Sequence, residues 1–284
     1  MINKIKEKNS IDLKSHLIKA ISDGKIKDFY EPFAPKTRNE SEVAYLKRVF
    51  TTSVEYQFVK INLKNEIGYV AFHCPSSPVI TRYGKFELHI AEVVGGQWGP
   101  HYVLVYPNLK EVIKKRDVLI RTDSGCHSGM VLGDITCDCA EQLRSAQRLC
   151  VSNGSGVIVH MPSHDGRGWG MYKFPNQRIM DDLEVDTVTA ARFFYGNDSE
   201  IDRRTYEEAV QILRSMKLNG RHTFNLATNN PKKIKAFVGA GLRVSGTQSI
   251  VAERISCVAL KNLNSKAKKW KHNLKNSGVD SGKG

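Results

Sequence analysis

The chain has 284 residues, 40% of them hydrophobic and 25% charged, and carries a formal net charge of +14. That is enough apolar material for one large domain, with or without an appendage, and no apolar run reaches the 18 or so residues that a membrane span needs. The first residues, Met1-Ile-Asn-Lys-Ile-Lys-Glu-Lys8, lack the apolar core of a signal peptide, so the cytoplasm is the expected compartment. The positive charge would suit a nucleic acid, a nucleotide phosphate or plain solubility. Much of it sits at the ends, as Lys4, Lys6, Lys8, Lys14, Lys19, Lys25 and Lys27 and then Lys266, Lys268, Lys269, Lys271 and Lys275. Terminal lysine runs of this kind read as solvated rather than as a nucleic-acid surface.

In chain order, residues 1 to about 50 read as loosely helical. Ile11, Leu13, Leu17, Ile18 and Ile21 recur near helical spacing before Gly24, and a second helical stretch is expected around Glu40 to Phe50. Pro75 to Gly84 reads as a turn-rich entry to strands at Lys85–Val94, His101–Tyr106 and Asp117–Arg121. A helix is expected over Ala140–Leu149, ended by Asn153-Gly154, and a short apolar strand over Gly156–Met161. Pro162 to Gly170 reads as a glycine-rich loop. Helices follow at Val185–Phe194 and from near Asp202 to Met216, then a strand at Phe224–Ala227 and a helix opened by Thr228-Asn-Asn-Pro231. The alternation predicts an α/β fold: a mixed sheet with flanking helices, plus an N-terminal helical extension.

Chemistry concentrates at Asp123-Ser-Gly-Cys-His-Ser-Gly-Met-Val-Leu-Gly-Asp-Ile-Thr-Cys-Asp-Cys139, which spaces Cys126, Cys137 and Cys139 as C-x10-C-x-C. In a reducing compartment clustered cysteines bind metal more often than they pair. Three thiolates without a fourth predict an open zinc site with room for water, since structural zinc usually has four protein ligands. His127 could complete a closed site, but adjacent residues rarely both reach one tetrahedral ion. Cys74, Cys150 and Cys257 stand among apolar neighbours and read as core residues.

Three further stretches could hold phosphate, and each has an ordinary local explanation beside it. Asp165-Gly-Arg-Gly-Trp-Gly170 offers backbone amides and an arginine fork, or is a plain turn. Asp202-Arg-Arg204 reads locally as a helix cap with solvated arginines. Thr228-Asn-Asn-Pro-Lys-Lys233 is an anion site at a helix start or merely a capped helix.

Together these motifs resemble the GTP cyclohydrolase II family over about residues 78 to 262. The Cys-x10-Cys-Asp-Cys spacing, Gln142, Asp165-Gly166-Arg167, Asp186-Thr187-Val188, Asp202-Arg203-Arg204 and Thr228 to Lys233 carry the likeness. The resemblance implies one zinc per chain on Cys126, Cys137 and Cys139, and water attack on the base ring with release of formate. It places Arg204 in the family's nucleophile position toward the α-phosphate, with loss of pyrophosphate, and Asp202 as its acid/base partner. Arg121, Ser124, Gln142, Asp165, Gly166, Arg167, Thr187, Thr228 and Lys233 would contact the nucleotide, with Mg²⁺ on its phosphates. A homodimer and a role in riboflavin biosynthesis are further expectations.

The sequence also departs from the family pattern. Gly125 stands where members have Glu, Thr136 where they have Arg, Asp165 where they have Glu, and Arg178 falls by offset where they have Tyr. The Trp169 loop and the N-terminal extension look more like a branch that acts in uracil catabolism, which makes UMP the alternative to GTP. The expected domains are an extension at 1–77, a catalytic domain at 78–264 and a basic tail at 265–284. The extension is too short for the dihydroxybutanone-phosphate synthase domain that often precedes this one. A zinc-stabilised nucleic-acid-binding module and a non-catalytic homologue are readings of other classes.

Overall fold

Leu13 and Leu17 stand one helical turn apart, and both are buried on the inner face of helix α1, residues 13–22. The helix stops at Gly24, whose φ of +63° is one that glycine adopts without strain. The computed structural model describes residues 13–32, 37–45, 56–63, 66–170, 173–196, 198–250 and 259–260. A short helix α2 covers residues 42–45; the remainder of the second helical stretch, Cys257 and the basic tail lie outside the described residues.

Among the described residues eight strands come next: β1 (Tyr56–Asn62), β2 (Ile67–Ile80), β3 (Lys85–Val93), β4 (His101–Tyr106), β5 (Asp117–Ser124), β6 (Gly156–Met161), β7 (Thr223–Ala227) and β8 (Arg243–Gln248). They form one mixed sheet in the order β1-β2-β3-β4-β6-β5-β7-β8. From β1 to β6 the neighbours run antiparallel; β6, β5, β7 and β8 run parallel. Parallel pairing needs long crossovers, which helices supply. In chain order the helices are α3 (Leu109–Val112), α4 (His127–Met130), α5 (Cys139–Ser152), α6 (Asp165–Gly168), α7 (Lys173–Asp182), α8 (Thr187–Tyr195), α9 (Asp198–Ile201), α10 (Glu207–Ser215) and α11 (Pro231–Gly239). The mixed sheet with flanking helices and the N-terminal helix agree with the sequence. None of the helices among the described residues is long and apolar enough to cross a membrane.

Burial follows the pairing. β5 is buried at six successive positions, Val118 to Asp123, as expected of a central strand with parallel neighbours on both sides. The core on one face joins Val59, Val70 and Phe72 to Val103, Val157, Ile212 and Phe237. The boundary expected between residues 77 and 78 therefore falls inside β2, and β1 and β2 belong to the same sheet and core as the strands after them. The turn expected over Pro75–Gly84 is confined to its end, where Thr81 N donates to Gly84 O at 2.9 Å; β2 passes through this stretch with a register shift between His73 and Ser77. Sequence reasoning missed β1, the first part of β2, α7 and β8. The strand Arg-Val-Ser-Gly-Thr-Gln is a largely exposed edge without apolar alternation, and α7 carries Pro175 near its start with only one residue fully buried.

Three parallel strands end side by side. Ser124, Met161 and Ala227 close β5, β6 and β7, and the thiol loop, the glycine-rich loop and the Thr228–Lys233 stretch leave from those carboxyl ends. This is the crevice where open α/β sheets place their ligands.

Candidate active site

Cys126 leaves β5 and precedes α4, while Cys139 opens α5, so two helix starts and the turn between them converge on one point. The three Sγ atoms lie within 4.8 Å of one another, with Cys126 and Cys137 at 3.6 Å. Such closeness needs Gly129, because a Cβ there would stand 2.6 Å from Cys137 Sγ. His127 is exposed and does not join the group. Three sulfurs at zinc–thiolate distances of about 2.3 Å in tetrahedral array stand just under about 4 Å apart, so the arrangement fits a zinc ion. The charges agree. Hydrogen bonds from Cys137 and then Cys139, with Lys173 beside them, hold the Cys126 thiol far below its ordinary range. Their bonds to Cys126 push Cys137 up to about 11 and Cys139 well upward. A divalent ion bound among them would favour ionisation of all three.

Cationic side chains line the same cavity. Arg204 is gripped by Asp202 through two bonds, Nε to Oδ1 at 2.8 Å and Nη2 to Oδ2 at 2.9 Å, leaving Nη1 beside Ser124 Oγ at 3.4 Å. Burial opposes ionisation of Asp202, but Arg204 outweighs it and holds the carboxyl far below its usual range. Asp202 does not cap α10, whose start is at Tyr206; it lies in the irregular stretch between α9 and α10. Lys233 is buried, donates to Thr122 O and stands over the Tyr206 ring at 5.3 Å. Burial and then Arg121 push its ammonium well down. It lies one turn into α11, whose start is capped by Asn230 accepting from Lys232 N at 2.9 Å.

Arg121 is buried on β5 and donates to Ala227 O at 3.1 Å, Asp123 Oδ1 at 3.2 Å and Gln142 Oε1 at 2.7 Å. Asp123 is also held by His160 at 2.8 Å. Burial raises its carboxyl, yet His160 and Arg121 together keep it below the usual range. In α6, Gly166 and Arg167 both take left-handed φ, +56° and +61°. For a non-glycine residue that conformation carries strain, and here it carries Arg167 Nη2 to Thr187 Oγ1 at 2.7 Å. Thr187 is presented by α8, whose start is capped by Asp186. Burial and then Arg204 lower Arg167 to about 10, still protonated at neutral pH.

Every site residue named from the sequence except Asp202 lines one cavity of about 220 Å³, and Asp202 stands directly behind Arg204. The sequence reading missed one whole wall, made by α7, together with His164. Lys173 Nζ reaches Cys126 Sγ at 3.3 Å, Ser128 Oγ at 2.6 Å and Asp165 Oδ1 at 3.2 Å. His164 lies between Trp98 and Tyr206, with ring centroids 4.9 and 5.4 Å away, and burial followed by Arg204 and Lys233 pushes it down to about 2. The spacing of Lys173, Asn176, Gln177 and Met180 at i, i+3, i+4 and i+7 could have revealed the helix; nothing local marks His164.

The departures have structural reasons. At Gly125 a Cβ would stand 2.6 Å from both Cα and O of Pro162, so this backbone has no room for a side chain there. Thr136 Oγ1 donates to Asp134 Oδ1 at 2.6 Å and closes its own turn. Arg178 points outward, exposed, and pairs with Asp182 at 2.7 Å. Trp169 stacks on Tyr195 with centroids 4.1 Å apart, and Arg203 lies 4.7 Å from the Trp169 ring.

Comparison with known proteins agrees with this geometry. The sequence pattern of the family described as GTP cyclohydrolase II matches residues 73–249. The chain is 29% identical over 219 residues to the riboflavin biosynthesis protein RibBA of Chlamydia muridarum, covering 75% of this chain and 49% of that one. It is 34% identical over 170 residues to RibBA of Salinispora tropica, covering 58% and 39%. With the probable monofunctional riboflavin biosynthesis protein RIBA 3, chloroplastic, of rice it shares 38% over 136 residues, covering 48% and 24%. The chain thus spans half or less of the length of these curated relatives.

Proposed function

The chain belongs to the GTP cyclohydrolase II family, and from that premise we propose that it is a zinc-dependent hydrolase that opens the base ring of a nucleotide, with GTP as substrate and formate and pyrophosphate as products. The observation that carries the reading is that one cavity is lined both by three thiols within 4.8 Å of one another and by the cationic side chains Arg204, Arg167 and Lys233. When bound by Cys126, Cys137 and Cys139, zinc supplies Lewis-acid activation of water beside the base ring.

The chain's own residues do the rest. Arg204, fixed by Asp202, offers Nη1 to the α-phosphate, and the paired carboxylate keeps the guanidinium charged where phosphate charge develops. Arg167 and Lys233 bind the phosphates with Mg²⁺, while Thr228 and the amides at the start of α11 close round them. Gln142 and Ser124, held by Arg121 and beside Arg204, orient the nucleoside. Asp165 is tied to the metal end through Lys173. A homodimer remains part of the proposal by family likeness.

The alternative raised by the sequence departures, UMP, is to be tested beside GTP. Pro162 leaves no room for a side chain at position 125, and Arg178 is turned to solvent, so neither position offers the cavity the side chain that the family pattern has there. Purified protein of known zinc content, incubated with GTP and with UMP, separates the readings. Formate release from GTP supports the first. Loss of the uracil absorbance with GTP untouched overturns it in favour of the second.

A further inference from the structure

Helix α7 is the wall of the cavity to which no part of the proposed reaction has been assigned. Its inward positions are Lys173, Asn176, Gln177 and Met180, while Phe174 and Arg178 face outward. Two of the inward residues tie α7 to the thiol loop. Lys173 holds its beginning at Cys126 and Ser128, and Gln177 holds its end, donating to Asp134 Oδ2 and Thr136 Oγ1, both at 2.9 Å.

Asn176 lies between these anchors and differs from both. It is 8% exposed, its Nδ2 reaches only the sulfur of Met180 at 3.8 Å, and its Oδ1 is buried without a donor among the described residues. Buried polar groups are paired almost without exception, and an unpaired amide oxygen costs free energy unless a ligand satisfies it. Nor does Asn serve the helix, in which it is a poor former.

Polarity fixes which part of a ligand comes here. Arg204, Arg167 and Lys233 stand on other elements and, on the nucleotide reading, hold the phosphates. Lys173, the cation of α7 that lines the cavity, is already engaged by Cys126, Ser128 and Asp165. The uncharged Asn176 is then suited to the base rather than to a phosphate. We propose that Asn176 is the base-reading residue of the cavity, its carboxamide oxygen accepting a hydrogen bond from a base N–H, as the ring N–H of guanine or of uracil would provide. The inference rests on the nucleotide reading of the site.

Equilibrium dialysis of the zinc-loaded protein with GTP, UMP and ribose 5-phosphate tests it on Asn176→Ala and Asn176→Leu, with zinc content and thermal midpoint measured on each. The expected result is a loss of at least about tenfold in affinity for whichever nucleotide the wild type prefers, with ribose 5-phosphate affinity and zinc content unchanged. The nucleotide that shows the loss identifies the base. Equal loss on all three ligands, or no loss on any, overturns the assignment. Because the readout is binding, the two proposals fail separately. A wild type that binds but opens no ring sinks the reaction and leaves Asn176 standing, and ring opening with undiminished affinity in both variants does the reverse. Failure of the wild type to bind any of the three overturns both.

Discussion

At the metal end of the cavity all three candidate ligands come from one run, Cys126 to Cys139. At the cationic end Arg167, Arg204 and Lys233 come from three separate segments. The difference extends to charge. The thiols crowd like groups together and keep two of the three protonated in the absence of a cation. The cationic end carries its own counter-charges and partners: Asp202 on Arg204, Asp123 on Arg121, Thr187 on Arg167. One end needs a ligand to reach its working charge state, whereas the other is preorganised by ion pairs and hydrogen bonds within the chain.

Removing one thiol should divide the two ends most sharply. Cys139→Ala is expected to bring bound zinc to background by elemental analysis and to abolish ring opening, while nucleotide affinity, set by the cationic end, stays within about tenfold. Retained zinc would break the comparison.

Asp202→Asn makes the converse cut. It leaves the half-buried Arg204 without its counter-charge, which should cost about 1–3 kcal/mol of unfolding free energy in urea titrations, with zinc content intact. The folded carboxyl lies below its ordinary value of 3.8. The wild-type advantage is therefore fully present above that pH and closes as pH falls toward the folded value.

Gly125→Ala forces a Cβ against the Pro162 backbone and should cost about 1–3 kcal/mol, so Glu at this position cannot simply be restored. His164 gives the fold a pH dependence of its own. Its folded value, about 2, lies below the ordinary 6.5, so the unfolded chain binds the extra proton between those limits. Stability falls as pH drops from 6.5, by at most about 1.4 kcal/mol per unit from this group, and His164→Leu should flatten that slope in urea midpoints measured at pH 7 and pH 5. Smallest of all, Arg178→Ala should leave stability within about 0.5 kcal/mol and activity unchanged, because its pair with Asp182 is exposed.

The legibility of the molecule follows the same division. Cys126, Cys137 and Cys139 could be read because a metal site built on one short loop writes its spacing into the chain. β3, β4 and β6 could be read because their apolar patterns are local. Asp202 and Arg204 could not be separated by local reading from an ordinary helix cap with surface arginines; only their burial, and the two-bonded grip of one on the other, makes them a site. α7 escaped because a helix lining a polar cavity presents Lys173, Asn176 and Gln177 inward, where helix reading looks for apolar residues. β1 and β8 escaped for related reasons: one begins where no turn signal marks it, and the other is an exposed edge.

The amino-acid sequence by itself determined the sheet-and-helix class, the three-thiol site and the family to which the chain belongs, since all three rest on patterns between residues near in sequence. Only the tertiary structure decided that β1 and β2 belong to the same sheet, that Pro162 closes off position 125, and that Arg178 leaves the cavity while Asn176 enters it. Those outcomes depend on which backbones meet across the ends of β5, β6 and β7, a relation between residues far apart in the chain that no local pattern encodes.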